Sequence, residues 1–460
     1  MTDAVGVPFV LFVAMAALAV LALLEHVVLP ALRFVASSSA EKLIEEVSAR
    51  LKIGIRPFQR TKRRVLIDRL LYDPKVQEAA RGFAQANKIP MDAAQGIVER
   101  YARETVPAFN AYLYFRIGYW IGRRVAQALY RVRLGYVDTE GLAKVDPDAT
   151  VVFVMNHRSN MDYVLVTWLV SNRASISYAV GEWARIWPFS YFIRAMGAYF
   201  IRRGSRNPLY RRVLARYVQM TTAEGIAQAM FPEGGLSLDG RVGAAKLGLL
   251  SYIMAGFDLM GRDVVFVPVG LAYDRVLEDG VLTAAAQSKE RRFRVNPLKA
   301  LGFALLVVPR LVFGRFKGFG TAAAGFGAPI SLRTFMAAVP DAAPEALGER
   351  LMAAIARVVP VVPVPLVAAA LQDGAGGRDG VTERTAALVA QLTALGAEIR
   401  IAPQGIAATV QEGLAALIAR GILTADLRPV AAQRHILQFY AASVQQRLEI
   451  TPLHDAVKVD

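Results

Sequence analysis

Five consecutive apolar residues, Val151-Val152-Phe153-Val154-Met155, end at Asn156, and a helical pattern from Met161 to Val170 begins five residues later. An apolar run of this length, bounded by turn residues, reads as a buried strand. The same unit recurs along the chain. Strands are expected at 150–155, 176–180, 198–202, 227–231 and 264–269, alternating with helices, and Phe326-Gly327-Ala328-Pro329-Ile330 reads as a late strand that closes the sheet. Such alternation predicts an α/β fold, a mixed sheet flanked by helices. Pro268 inside the 264–269 strand predicts an edge or a bend there.

The flanks read differently. Residues 37–135 carry helical patterns, with starts at Ser37-Ser38-Ser39, Asp73-Pro74 and Pro90-Met91-Asp92. From about 341 the chain is Ala-rich. Val358 to Pro365 interrupts its helices, Gln372 to Gly380 reads as a flexible loop, and helical patterns resume at 381–397, 405–420 and 428–448. The expected organisation is an N-terminal segment 1–35, a helical region 36–140, an α/β domain 141–340 and a helical accessory region 341–460.

Composition narrows the surroundings. The chain is 55% hydrophobic with a net charge of +16, a mean hydropathy of +0.35 and a pI near 10.1. A basic, apolar chain points to anionic lipid headgroups or anionic substrates before nucleic acid. No zinc-finger spacing or RNP-like motif is present to argue for nucleic acid. Ala4 to Leu24 holds no charged residue and is long enough to span a bilayer. Basic residues from Arg33 to Arg64 follow it, which places the bulk of the chain in the cytoplasm, anchored to the cytoplasmic membrane. A re-entrant or monotopic helix is the alternative for that segment. Lys299 to Lys317 reads as a surface-dipping helix. Tyr112 to Arg133, rich in aromatics and arginines, fits either the headgroup layer or an ordinary amphipathic helix packed on its own domain. The chain has no cysteine, which removes disulfides and a cysteine acyl-enzyme. No two of its four histidines have metal-ligand spacing, so no metal site is expected.

His157-Arg158-Ser159-Asn160-Met161-Asp162 follows the first strand. On a continuous helix, residues five apart point about 140° away from each other. With His157 in the turn and Asp162 in the first helical turn, they can meet, and the carboxylate then faces the positive end of the helix dipole. An imidazole held by a carboxylate can take a proton from an alcohol. Three further stretches close strands: Gly197-Ala198-Tyr199-Phe200-Ile201-Arg202-Arg203, Phe231-Pro232-Glu233-Gly234-Gly235 and Phe266-Val267-Pro268-Val269-Gly270. Paired arginines at a strand end suit phosphate recognition, and two glycines permit close backbone approach.

Taken in order, these stretches resemble the four sequence blocks of the glycerolipid acyltransferases, and in particular the membrane-bound bacterial glycerol-3-phosphate 1-O-acyltransferases. The resemblance covers roughly residues 145–335 and continues more loosely through Val361 to Leu371. It implies an acyltransferase-type fold in which His157 is the general base and Asp162 orients it. Arg202 and Arg203 would bind the acceptor phosphate. Glu233, Gly234 and Gly235 would shape the acceptor site, Pro268 would border the acyl site, and Arg158 and Ser159 would contact substrate. The implied reaction moves an acyl group from acyl-CoA or acyl carrier protein to the sn-1 hydroxyl of glycerol 3-phosphate, with no cofactor beyond that thioester. The third block departs from the bacterial pattern: Leu236 and Leu238 stand where arginines usually follow the two glycines. Arg241 and Lys246 are candidate replacements. A lysophosphatidate acceptor, with an acyl chain of its own, is the alternative enzyme reading. A non-catalytic protein that binds anionic lipid through its basic patches is the alternative of another class.

Overall fold

The computed structural model describes residues 61–110, 113–170, 176–181, 189–202, 204–288, 318–339 and 343–450. The expected anchor at 4–24, the surface-dipping helix at 299–317 and Arg203 lie outside the described residues. Among the described residues no helix is long and apolar enough to cross a membrane.

Among the described residues eight strands form one sheet: β1 (Arg131–Val137), β2 (Thr150–Met155), β3 (Ser177–Gly181), β4 (Ala198–Ile201), β5 (Gln228–Met230), β6 (Val264–Tyr273), β7 (Thr321–Phe326) and β8 (Ile330–Ser331). Their order is β1-β7-β6-β2-β5-β3-β4, with β8 also on β6. The half from β6 to β4 is parallel. β7 and β8 run antiparallel to β6, and β1 runs parallel to β7. The fold is thus a mixed, mostly parallel α/β sheet flanked by helices.

Helices used below are α1 (Met91–Thr105), α2 (Tyr119–Leu129), α3 (Met161–Val170), α4 (Pro208–Ala223), α5 (Asp279–Ser288), α6 (Pro344–Val358), α7 (Pro363–Gln372), α8 (Ile406–Ala419) and α9 (Arg434–Glu449). Every residue of β2 is buried, because both faces of the sheet are covered. Its side chains alternate between two cores, as the period of a strand requires. Val151, Phe153 and Met155 enter one core with residues of α3, α7 and α9. Val152 and Val154 enter the other with residues of α4 and α6. The C-terminal helices therefore share a core with the sheet. Each large apolar side chain buried there contributes about 1.5–3 kcal/mol.

Four sequence expectations are corrected. The helical reading through 135 fails at β1, whose Arg131 and Arg133 are exposed while Val132 and Leu134 are buried: the arginines form the solvent side of a strand with period 2. The single late strand is two strands, β7 and β8, separated by residues 327–329. Pro268 is neither at a sheet edge nor a break in its strand. It pairs with Val154 of β2, and on the other side of β6 it falls in the gap between β8, which pairs as far as Phe266, and β7, which begins at Val269. A residue without an N–H is tolerated where no ladder partner waits for one. The expected loop at 372–380 is also shorter, since α7 runs to Gln372 and the next helix begins at Gly377.

Candidate active site

The parallel strands all end on one side, and β2 delivers His157 there. Asn156 continues the β2–β6 pairing with its side chain: its amide donates to the Leu271 carbonyl at 2.9 Å and accepts from the Leu271 N–H at 2.7 Å. The chain then turns, and Asp162 falls in the first turn of α3. His157 Nδ1 and Asp162 Oδ2 are 2.9 Å apart, and the two side chains are 2% and 0% exposed. The same oxygen accepts from the backbone N–H of Arg158 at 2.7 Å and of Ser159 at 3.0 Å. The second oxygen accepts from the Tyr273 hydroxyl at 2.7 Å. Residues 267, 269, 271 and 273 alternate onto one face of β6 and share a core with Phe153 and Met155, which is why Tyr273 reaches the pair. Four accepted hydrogen bonds satisfy the buried carboxylate without solvent. It holds the ring by Nδ1 and leaves Nε2 for a reacting group. The imidazole stacks on Phe231, with centroids 4.0 Å apart, and meets the Tyr163 ring edge-on at 5.6 Å.

The third block wraps behind this ring. The Gly234 N–H closes a turn onto the Phe231 carbonyl at 2.9 Å. Gly234 has φ +66, a backbone conformation that favours glycine, and a side chain there would also displace the flexible stem of Lys246. Glu233 Oε1 accepts from the His157 N–H at 2.9 Å. Burial pushes the Glu233 carboxyl up to about 7, although the His157 N–H and the Arg158 charge favour its ionised form. A cavity of about 250 Å³ borders this turn through Asn160 and Tyr163 and is lined also by Ile121, Val125, Val164 and Ile193; His157 and Asp162 themselves do not line it. Its lining is almost wholly apolar.

Residues 136–272 match the family model described as Acyltransferase. The chain carries an acyltransferase domain. Curated proteins named glycerol-3-phosphate acyltransferase are among its relatives. The chain is 29% identical over 341 residues to that of Pseudomonas savastanoi pv. phaseolicola, covering 67% of this chain and 38% of the relative. It is 30% identical over 286 residues to that of Aeromonas hydrophila subsp. hydrophila, covering 60% of this chain and 33% of the relative. The chain thus spans about a third of the length of these curated relatives. The crystal structure of the 1-acyl-sn-glycerophosphate (LPA) acyltransferase PlsC from Thermotoga maritima overlaps 52% of this chain and 78% of that one at 18% identity, with a TM-score of 0.31. An overlap that low supports neither fold nor function.

Within the acyltransferase domain the expected substrate residues occupy varied settings. The buried Arg158 guanidinium donates to the Gly240 carbonyl, and Gly240 has no room for a side chain because the Phe439 carbonyl of α9 lies against it. The Ser159 hydroxyl donates to Glu278 at 2.8 Å and accepts from the Met161 N–H at 3.2 Å. Arg202 makes a two-pronged pair with Glu104 of α1 at 2.8 and 2.7 Å and lies over the rings of Tyr101 and Tyr210. β5 and β3 separate its strand from β2, so it starts about 14 Å from the His157 strand. Leu236 and Leu238 pack against the core. Of the candidate replacement cations, Arg241 pairs with Glu449, whereas Lys246 lies across Gly234. Four residues that build the site went unassigned in the sequence: Asn156, Tyr163, Tyr273 and Glu278. Only Tyr273 had a usable signal, the alternation of β6.

Proposed function

We infer that this chain transfers a fatty acyl group from a thioester, acyl-CoA or acyl carrier protein, to the sn-1 hydroxyl of glycerol 3-phosphate. The observation that carries this reading is the buried His157–Asp162 pair beside an almost wholly apolar cavity. Asp162 fixes the imidazole by Nδ1, and Nε2 takes the proton of the acceptor hydroxyl. The oxygen attacks the thioester carbonyl and an O–C bond forms. When the tetrahedral intermediate collapses, the C–S bond breaks and the thiolate leaves with the proton held by the imidazolium. Proton transfer of this kind is worth about 10²–10⁴-fold in rate. A chain without cysteine fits direct transfer. The cavity takes the start of the acyl chain; Pro268, expected to border the acyl site, is not among its lining residues.

The acceptor phosphate would be met by Arg202 and Arg203, with Arg202 exchanging Glu104 for phosphate, and by Lys246 over the Glu233-Gly234-Gly235 turn. The relatives' printed name supports glycerol 3-phosphate as acceptor. The core-packed Leu236 and Leu238 favour lysophosphatidate as a second reading. Work at the cytoplasmic face of a membrane, among anionic lipids, fits the charge of +16.

The test offers purified protein acyl-CoA or acyl carrier protein thioester with labelled glycerol 3-phosphate or labelled lysophosphatidate. Label from glycerol 3-phosphate appearing in 1-acylglycerol 3-phosphate supports the first reading. Transfer to lysophosphatidate alone moves the chain to the second. Transfer to neither acceptor overturns both and favours a non-catalytic lipid-binding protein.

A further inference from the structure

Glu278 is the last residue before α5, and its carbonyl accepts from Val281 N–H and Leu282 N–H at 2.9 Å each, which fixes its backbone at the helix start. Its carboxylate points back at the catalytic turn. One oxygen accepts from the Asn160 N–H at 3.2 Å and the Asn160 amide at 2.9 Å; the other accepts from the Ser159 hydroxyl at 2.8 Å. These two residues lie in the four-residue turn between His157 and Asp162, and the Ser159 N–H is itself one of the donors to Asp162.

Glu278 is in turn anchored from the C-terminal helices. Neighbouring Asp279 is buried and accepts from Tyr440 of α9 at 2.6 Å and from Arg420, which follows α8. The Tyr440 hydroxyl also accepts from the Val276 N–H at 2.9 Å and from Arg420 at 3.1 Å. One donor and two accepted bonds use a hydroxyl fully, so the ring of contacts is closed.

We propose that Glu278 is a positioning residue for the catalytic pair, holding the Ser159-Asn160 turn from a mount supplied by Arg420 and Tyr440. This rests on the reading of His157 as general base. It assigns the Ser159 hydroxyl to the protein's own architecture rather than to substrate, and it ties the C-terminal helices to the rate of the chemical step. A buried turn with three contacts to a charged group loses definition when that group is removed, and a poorly aimed base lowers kcat without changing what binds.

The experiment measures kcat and the KM of each substrate for Glu278→Ala, Glu278→Gln, Ser159→Ala and His157→Ala, with a melting temperature for each. Glu278→Ala is expected to lose about 10–100-fold in kcat with KM within about twofold. Glu278→Gln keeps an oxygen for Asn160 and an amide for Ser159, and is expected to recover most of that loss. Ser159→Ala, a small change that leaves the fold standing even if Glu278→Ala does not, is expected to lower kcat about 3–10-fold at constant KM. An unchanged kcat in Glu278→Ala, or a raised acceptor KM with unchanged kcat in Ser159→Ala, overturns the inference. His157→Ala separates the two layers: if it stays active, the general-base reading fails; if it is inactive while the Glu278 and Ser159 variants turn over normally, only the positioning role fails.

Discussion

Asp162 is fully buried and accepts four hydrogen bonds, whereas Arg202, three strands away, commits its paired donors to Glu104 and keeps 34% of its side chain in solvent. Both stand at the same end of one sheet. At the proposed base end, the contacts to Asp162 all come from the protein itself. The anion end is provisional: one arginine holds a partner of its own, and the two positions that carry arginine in the bacterial pattern hold leucines packed on the core. The difference teaches where tolerance should lie. Changes around Asp162 should act on kcat, and changes around Arg202 on the acceptor KM.

The largest effect that would sharpen this contrast is expected for Asp162→Asn. An amide cannot accept from all four of the donors that Asp162 serves, so the imidazole loses its orientation. A kcat lower by about 10³–10⁴-fold is expected by steady-state assay, and a loss below tenfold would break the contrast. Tyr273→Phe comes next. It removes one donor to a charged group, about 1.5–3 kcal/mol, and is expected to lower kcat about 10–100-fold with KM unchanged. Glu104→Gln addresses the other end. Releasing Arg202 from its pair is expected to lower the glycerol 3-phosphate KM a few-fold with kcat unaltered; a KM that stays put would leave Arg202 a guanidinium that only ties β4 to α1.

The smallest effect is on stability. Glu233 titrates near 7 in the folded protein because it is buried. The folded state therefore keeps that proton at pH values where the unfolded chain has lost it. Its stabilising contribution is complete below the ordinary glutamate range and disappears as pH rises through about 7, with a slope of at most about 1.4 kcal/mol per pH unit. Glu233→Gln should flatten the fall in melting temperature between pH 5 and 8. An identical slope in the variant would show that Glu233 does not titrate there.

Much of the frame was legible in the sequence because it rests on periodicity. The apolar run 151–155 became β2 with both faces buried, and the same logic located β3 to β6. The meeting of His157 and Asp162 followed from counting residues across a turn. What escaped has physical causes. β1 was hidden because its two outward arginines resembled a basic helix. Tolerance of Pro268 inside the sheet depends on where β8 ends and β7 begins, which no local pattern encodes. The roles of Tyr273 and Glu278 arise from contacts 111 and 118–119 residues apart in the chain. The partner of Arg202, Glu104, lies 98 residues away on a helix, so its engagement was invisible in the strand that carries it.

In the proposed reaction His157 moves the acceptor's proton. The most direct measurement compares single-turnover acyl transfer to glycerol 3-phosphate by the wild-type chain and by His157→Ala under saturating thioester. A rate at least about 10²-fold lower is expected in the variant, with its melting temperature retained. Equal rates would contradict it.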